Sequence, residues 1–283
     1  MLDGLKQGVL LGLAILALTL PPPYPYRGAV LPEPAAGVAL PGPATGVALP
    51  GPATGVALPG PATGAAQTQQ APRFANFLGE EASAEVRHIA NWVVDSGDNS
   101  QLFFVIIDKK NTRVFVFDSS GNLRGATPVL IGSAIGDEAV AGIGRRPIAE
   151  VQPHERTTSA GRFMGESGRN ASGEDVVWVD YDAAVSMHRV RTVEPSQRRL
   201  ERLASPTTED NRISYGCINM PVEFFDNVLK PAFNASYGVV YVLPEVKSVA
   251  EVFTSAYDVA AKHGVTPTIE HPNPARGIGM LNS

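Results

Sequence analysis

From Gly37 to Thr63 the chain repeats Gly-Val-Ala-Leu-Pro-Gly-Pro-Ala-Thr three times, and Pro and Ala dominate the stretch from Pro21 to Ala36 as well. Proline removes a backbone donor and fixes φ, and the glycines between add entropy that any ordered element would have to overcome. Such a segment cannot enter a helix or a sheet ladder. It favours extended, polyproline-like backbone with no core of its own, so residues 21-72 read as a linker and folding is left to the residues beyond it. The nine-residue period is too short for a solenoid.

Ahead of the linker, a head carrying Asp3 and Lys6 leads into the apolar run Gly8 to Leu20, which Pro21-Pro22-Pro23 ends at once. At about 1.5 Å per residue that run reaches only part-way across a hydrocarbon layer of roughly 30 Å. Residues 1-20 are therefore expected to be a signal peptide or an N-terminal membrane anchor, placing the protein outside the cytoplasm, in the periplasm or cell envelope, with no membrane contact beyond that segment. The 283 residues carry a formal charge of -5, with 44% hydrophobic and 18% charged side chains. That composition suits a packed domain and argues against a surface that holds a phosphate backbone, so no nucleic-acid partner is expected. Arg145-Arg146 and Arg198-Arg199 read as solvated surface pairs.

Order is expected from Ala82, where Val86, Ile89, Ala90, Val93 and Val94 recur at helical spacing until Ser96-Gly97-Asp98, so residues 82-100 form an amphipathic helix leading into a domain at 101-245. Leu102 to Ile107 and Thr112 to Phe117, rich in aromatic and β-branched residues, flank the polar Asp108-Lys109-Lys110-Asn111 and read as a hairpin. Thr127 to Ile131, Val176 to Tyr181 and Val239 to Leu243 supply further strands, and short helices are expected over Ser196 to Ala204 and Val222 to Leu229. Gly144 to Asp175, polar and rich in Gly, Ser and Arg, reads as a long loop. Residues 246-283 read as a helix with Val249, Val252, Phe253, Ala256 and Ala260 on one face, closed by Gly264, and a tail. The fold class is mainly β with flanking helices, α+β.

Cys217 is the chain's one cysteine. In an exported protein it is an inert buried thiol, an intermolecular bridge or a reactive group. Gly216 before it permits a tight turn and leaves the sulfur unshielded, and a downstream helix N-terminus aimed at the sulfur would lower its pKa. A thiol of pKa near 8.5 is only a few per cent ionised at neutral pH, so a nucleophile needs such help or a histidine base. His188 ends the alternating Val185-Ser186-Met187-His188 and is the candidate; His88, His154, His263 and His271 stand on a helix, a loop and the C-terminal region. From the residues alone, a lone histidine near an apolar strand is more often a satisfied core residue, and that reading of His188 stays open. The dispersed histidines and single cysteine have no zinc-type spacing, and neither metal nor cofactor is expected.

Ser214-Tyr215-Gly216-Cys217-Ile218-Asn219 resembles the Ser-His-Gly-Cys-hydrophobic-Asn/Arg signature of L,D-transpeptidases with the YkuD-type catalytic domain. The opening hairpin, Ala126 to Val129, Ser159 to Phe163, the position of His188 and the strand Gly238 to Leu243 resemble that family's pattern in order, over Leu102 to Pro244. Tyr215 stands where the family usually has histidine, and Arg189 where a small residue is common. The resemblance implies a β-sandwich or barrel catalytic domain and a two-step acyl transfer on peptidoglycan stem peptides. In it Cys217 is the nucleophile and His188 the base, with Gly216, Cys217 and Tyr215 as oxyanion donors and Ser214 and Asn219 as supports; Arg212 is a candidate for a substrate carboxylate. An amine on a stem peptide or a wall-attached protein would accept the acyl group. Water as acceptor, giving an L,D-carboxypeptidase or cross-link hydrolase, and a non-catalytic wall-binding protein are the alternatives.

Overall fold

The computed structural model describes residues 71–234 and 237–265. The expected signal or anchor segment, nearly all of the linker and the C-terminal tail lie outside them. Among the described residues no helix is long and apolar enough to cross a membrane.

The first helix, α1 (Ala84–Ser96), starts where Ser83 Oγ accepts the Val86 N–H at 3.3 Å and stops at Gly97, whose φ is 73°. The strands are β1 (Phe104–Asp108), β2 (Arg113–Phe117), β3 (Leu123–Pro128), β4 (Ile131–Gly132), β5 (Gly161–Arg169), β6 (Asp175–Asp180), β7 (Val185–Arg189), β8 (Arg212–Ser214), β9 (Ile218–Met220) and β10 (Gly238–Val242). Eight of them form one sheet in the order β3-β2-β1-β10-β5-β6-β7-β9, while β4 and β8 pair separately. The pairs β1–β10 and β7–β9 are parallel and the rest of the large sheet is antiparallel. Its two ends nearly meet: Leu130, just beyond β3, exchanges 2.8 Å backbone hydrogen bonds with Asn219 of β9 in both directions. The sheet is thus a nearly closed barrel.

Strand alternation divides the apolar side chains between two cores. Val105, Ile107, Val114, Val116, Met187 and Ile218 fill the barrel, while Phe104, Ile106, Phe115 and Phe117 point outward beneath the buried stripe of α1. Burial on both faces is why β1 and β2 read as unbroken hydrophobic runs.

Two expectations need correction. The polar stretch from Gly144 to Asp175 is not one loop, because it contains β5, a central strand between β10 and β6. Its glycines hide it from periodicity yet suit its place: a Cβ on Gly165 would stand 2.6 Å from the Phe233 ring. Lys109, in the polar turn between β1 and β2, is fully buried, donating to Asp137 Oδ1 at 2.7 Å and to the carbonyls of Gly136 and Thr158. The C-terminal helix is two pieces, Val249–Val252 and Val259–His263, because Asp258 caps a second start with a 2.9 Å bond from the Ala261 N–H. The two short helices expected before and after Cys217 both form: a 3₁₀ turn over Pro195–Gln197 leads to α2 (Arg199–Ala204), and a helical run begins at Val222, passes through π geometry over Phe225–Leu229 and continues over Lys230–Phe233.

Candidate active site

In β7, Val185 and Met187 enter the barrel core, so the pleat sends Ser186 and His188 to the opposite face. Met187 pairs with Ile218 and His188 with Asn219 across the parallel β7–β9 ladder, which brings Cys217 alongside Ser186. Ser186, His188, Ser214, Tyr215, Cys217 and Asn219 all line a cleft of about 300 Å³.

The turn before β9 is fixed from several sides. Ser214 Oγ donates to the Cys217 carbonyl at 2.6 Å and accepts the Gly216 N–H at 3.1 Å. Asn219 Nδ2 also donates to the Cys217 carbonyl, at 3.2 Å, and Thr158 Oγ1 donates to the Gly216 carbonyl at 2.8 Å. Ser214 and Asn219 thus both brace the turn through the Cys217 carbonyl. Gly216 has φ 126°, and a Cβ there would lie 2.7 Å from the Thr157 carbonyl oxygen, so both conformation and space call for glycine. Its N–H, however, is taken by Ser214 and does not face the cleft as an oxyanion donor.

The imidazole of His188 is oriented by the backbone. Nδ1 lies 2.7 Å from the carbonyl oxygen of Arg189, and because a carbonyl only accepts, Nδ1 carries the proton and Nε2 keeps its lone pair. The Arg189 side chain turns away to Asp226, with Nε 3.0 Å from Oδ1, and its guanidinium lies 4.5 Å from the centre of the Phe225 ring. A larger residue at this position therefore leaves the site's geometry intact, since only its carbonyl is used.

Cys217 Sγ lies 3.8 Å from Ser186 Oγ and 3.5 Å from the Ala184 carbonyl. Burial of the sulfur would raise the thiol pKa. Hydrogen bonding and charge from His188, followed by the backbone N–H and hydroxyl of Ser186, outweigh it and hold Cys217 below the ordinary thiol range. The helix dipole is not the cause: β9 and Pro221 separate Cys217 from the helical run that begins at Val222. Ser186 was missed in the sequence, although its place two residues before His188 on a strand puts both on one face.

Tyr215 is 38% exposed on the cleft, its ring centre 4.1 Å from the Arg156 guanidinium. Arg212 does not line the cleft. It pairs with Glu245 and donates to the Lys109 carbonyl at 3.3 Å, so it belongs to the buried Lys109 network rather than to substrate binding. The two arginine pairs are not wholly surface: Arg145 and Arg198 are exposed, but Arg146 and Arg199 line the cleft. Among the described residues no cluster of three or more His, Cys, Asp or Glu could hold a metal ion.

No protein-family model matches the chain, and no curated protein matches it in sequence. Among solved structures, the helical cell shape determining protein Pgp2 from Campylobacter jejuni is similar at 13% identity, covering 52% of this chain and 49% of that one, with a TM-score of 0.34. A lysine-to-alanine variant of the same protein matches at 13% identity over 61% of this chain and 64% of that one, with a TM-score of 0.35. The chain thus spans about half to under two thirds of those structures' length, and similarity at these TM-scores carries no argument about fold or activity.

Proposed function

We propose that this protein is a cysteine acyl-transferase of the L,D-transpeptidase type, exported to the periplasm or cell envelope and acting on peptidoglycan stem peptides. The observation that carries the reading is that Cys217 and His188 line one cleft, with His188 Nδ1 fixed 2.7 Å from a carbonyl and its influence lowering the thiol pKa. A structural thiol in apolar surroundings would be raised instead. That difference favours an enzyme over a wall-binding protein without catalysis. The motif around Cys217 and the nearly closed barrel support the family; the short apolar run and proline-rich tether support the location.

In this reading His188 Nε2 takes the thiol proton as Cys217 Sγ attacks the carbonyl carbon of the third residue of a tetrapeptide stem. With the Gly216 N–H occupied, the Cys217 N–H and the Tyr215 hydroxyl are the donors that remain for the oxyanion. Collapse of the tetrahedral intermediate breaks the C–N bond, and the imidazolium returns its proton to the leaving amine of D-alanine. A thioester remains on Cys217. An acceptor amine then loses a proton to His188, forms the new amide and releases the thiolate; water in its place gives a carboxylic acid. The residues involved need no cofactor for these steps.

The test is the intact mass of the full chain after incubation with a purified tetrapeptide muropeptide. An adduct of the stem less D-alanine on Cys217, lost in Cys217→Ala, is expected. No adduct, or one that survives in Cys217→Ala, would overturn the proposal. Products formed with and without an added amine, a stem peptide or a wall-attached protein, separate transfer from hydrolysis.

A further inference from the structure

The cleft beside Cys217 is lined by three arginines, Arg146, Arg191 and Arg199, against one acid, Glu194. Two of the three are matched by carboxylates: Arg146 stands 3.0 Å from Glu155, and Arg191 stands 3.4 Å from Glu174. Arg199 has no carboxylate partner among the described residues. Its Nε donates to Gln197 Oε1 at 2.6 Å and its Nη1 to Asn219 Oδ1 at 2.7 Å, both neutral oxygens. The guanidinium is only partly exposed, and its own surroundings disfavour its charge: burial lowers its pKa, the nearby Arg191 lowers it further, and an ionised Cys217 is the counter-charge that raises it. Glu194 sits at the exposed margin and accepts from Ser196 Oγ at 2.7 Å.

A cation taken partly out of water and braced by neutral groups is costly unless an anion completes it. The bracing also fixes its direction. Asn219, which accepts from Arg199, donates through Nδ2 to the Cys217 carbonyl at 3.2 Å, so the guanidinium is one side-chain amide away from the nucleophile's backbone. A planar guanidinium held in this way presents its remaining N–H groups as a fork suited to a carboxylate.

We propose that Arg199 is a specificity residue that binds the free C-terminal carboxylate of the residue expelled when Cys217 attacks. This rests on the acyl-transfer reading above. In a peptide the carboxyl carbon of the leaving residue follows the scissile carbonyl carbon by one residue, so it must lie in the same cleft as the attacking sulfur, which Arg199 and Cys217 both line. The site would then act on stems that end in a free acid and discriminate against stems whose terminal carboxyl is blocked.

The probes are a tetrapeptide stem ending in D-alanine and the same peptide as its C-terminal amide, so that every other carboxylate is common to both. Wild-type full chain is expected to favour the acid by about 10- to 100-fold in kcat/KM, the range of a charge-assisted hydrogen bond. That preference should fall to near unity in Arg199→Gln and be partly kept in Arg199→Lys. Equal use of acid and amide by the wild type would overturn the inference while leaving the acyl-transfer reading standing, and so would an undiminished preference in Arg199→Gln. If neither peptide acylates the wild type, the acyl-transfer reading falls. Calorimetric titration of the two peptides into Cys217→Ala, with and without Arg199→Gln, then decides the carboxylate site alone: tighter binding of the acid that depends on Arg199 supports it, and equal binding overturns it.

Discussion

Nδ1 of His188 donates to the carbonyl oxygen of Arg189, its immediate neighbour, at 2.7 Å. The orienting partner of the base is thus main chain, and no acidic side chain is needed to select the tautomer that faces the thiol. The pKa of Cys217 should then depend chiefly on the imidazole. With thiol pKa depressed, the thiolate persists to lower pH than for an ordinary cysteine and is lost as pH falls through the shifted value. Alkylation of Cys217 by iodoacetamide, followed across pH, should inflect below the ordinary thiol value of about 8.5. His188→Ala should move the inflection up to that value or beyond and slow alkylation at pH 7 by roughly tenfold. An unmoved inflection would show that the histidine does not activate the thiol.

Gly216 links the strained turn to the scaffold behind it. Its φ of 126° is unfavourable for any residue with a Cβ, and that Cβ would meet the Thr157 carbonyl oxygen at 2.7 Å. Gly216→Ala should cost roughly 1 to 3 kcal/mol of stability from backbone strain. It should also reduce acylation by about 100-fold, because the displaced turn carries Cys217 away from His188. Thermal unfolding and single-turnover acylation, measured on the same preparation, separate the two effects. Acylation at the wild-type rate would show that the turn yields without moving the sulfur.

Much of this site is readable in the sequence because it is local. Ser214, Gly216, Cys217 and Asn219 lie within six residues of one another, and alternation along Val185-Ser186-Met187-His188 places the imidazole on a strand face. What escapes is set by tertiary packing. Arg146 and Arg199 belong to basic pairs that look like solvated surface, and only the folded chain carries the second member of each into the cleft. Arg212 suggested a substrate contact because a guanidinium fork suits a carboxylate, but β8 carries it to Glu245. The strand β5 lacks a hydrophobic period because its glycines make room for Phe233 and Trp178. Lys109 sits in a polar tetrapeptide typical of a turn, and nothing nearby in sequence announces the acid that receives it.

That acid is Asp137, and the Lys109–Asp137 pair is almost wholly buried, at 0% and 3% side-chain exposure. Burial alone would raise the Asp137 carboxyl, but the bond from Lys109 and the backbone N–H groups of Lys247, Glu245 and Val246 prevail and lower it to about 2. A depressed carboxylate stabilises the fold above its unfolded pKa and loses that contribution as pH falls through the folded value. Stability should therefore drop by about 2 kcal/mol from this group between roughly pH 4 and pH 2. Asp137→Asn leaves the buried Lys109 with Glu245, 3.5 Å away, as its remaining charged partner and should cost about 3 kcal/mol, lowering Tm by roughly 6 to 12 °C. Denaturant titrations of both proteins at pH 7 and pH 3 check this. A variant as stable as the wild type at pH 7 would count against the pair.

Tyr215 stands where the family resemblance would place a histidine, and the leading causes that depress the thiol are His188 and Ser186. Its ring is held over Arg156 at 4.1 Å, with the residue open to the cleft. The hydroxyl's proposed part is therefore in the transition state rather than in activating the nucleophile. Tyr215→Phe keeps a ring for the guanidinium to pack on and removes only the donor. It should leave the pH inflection of Cys217 alkylation where it is while lowering kcat for acylation by about 10- to 100-fold, the loss expected for one oxyanion donor. A shifted inflection would place the tyrosine in thiol activation, and an unchanged kcat would assign the oxyanion to backbone donors alone.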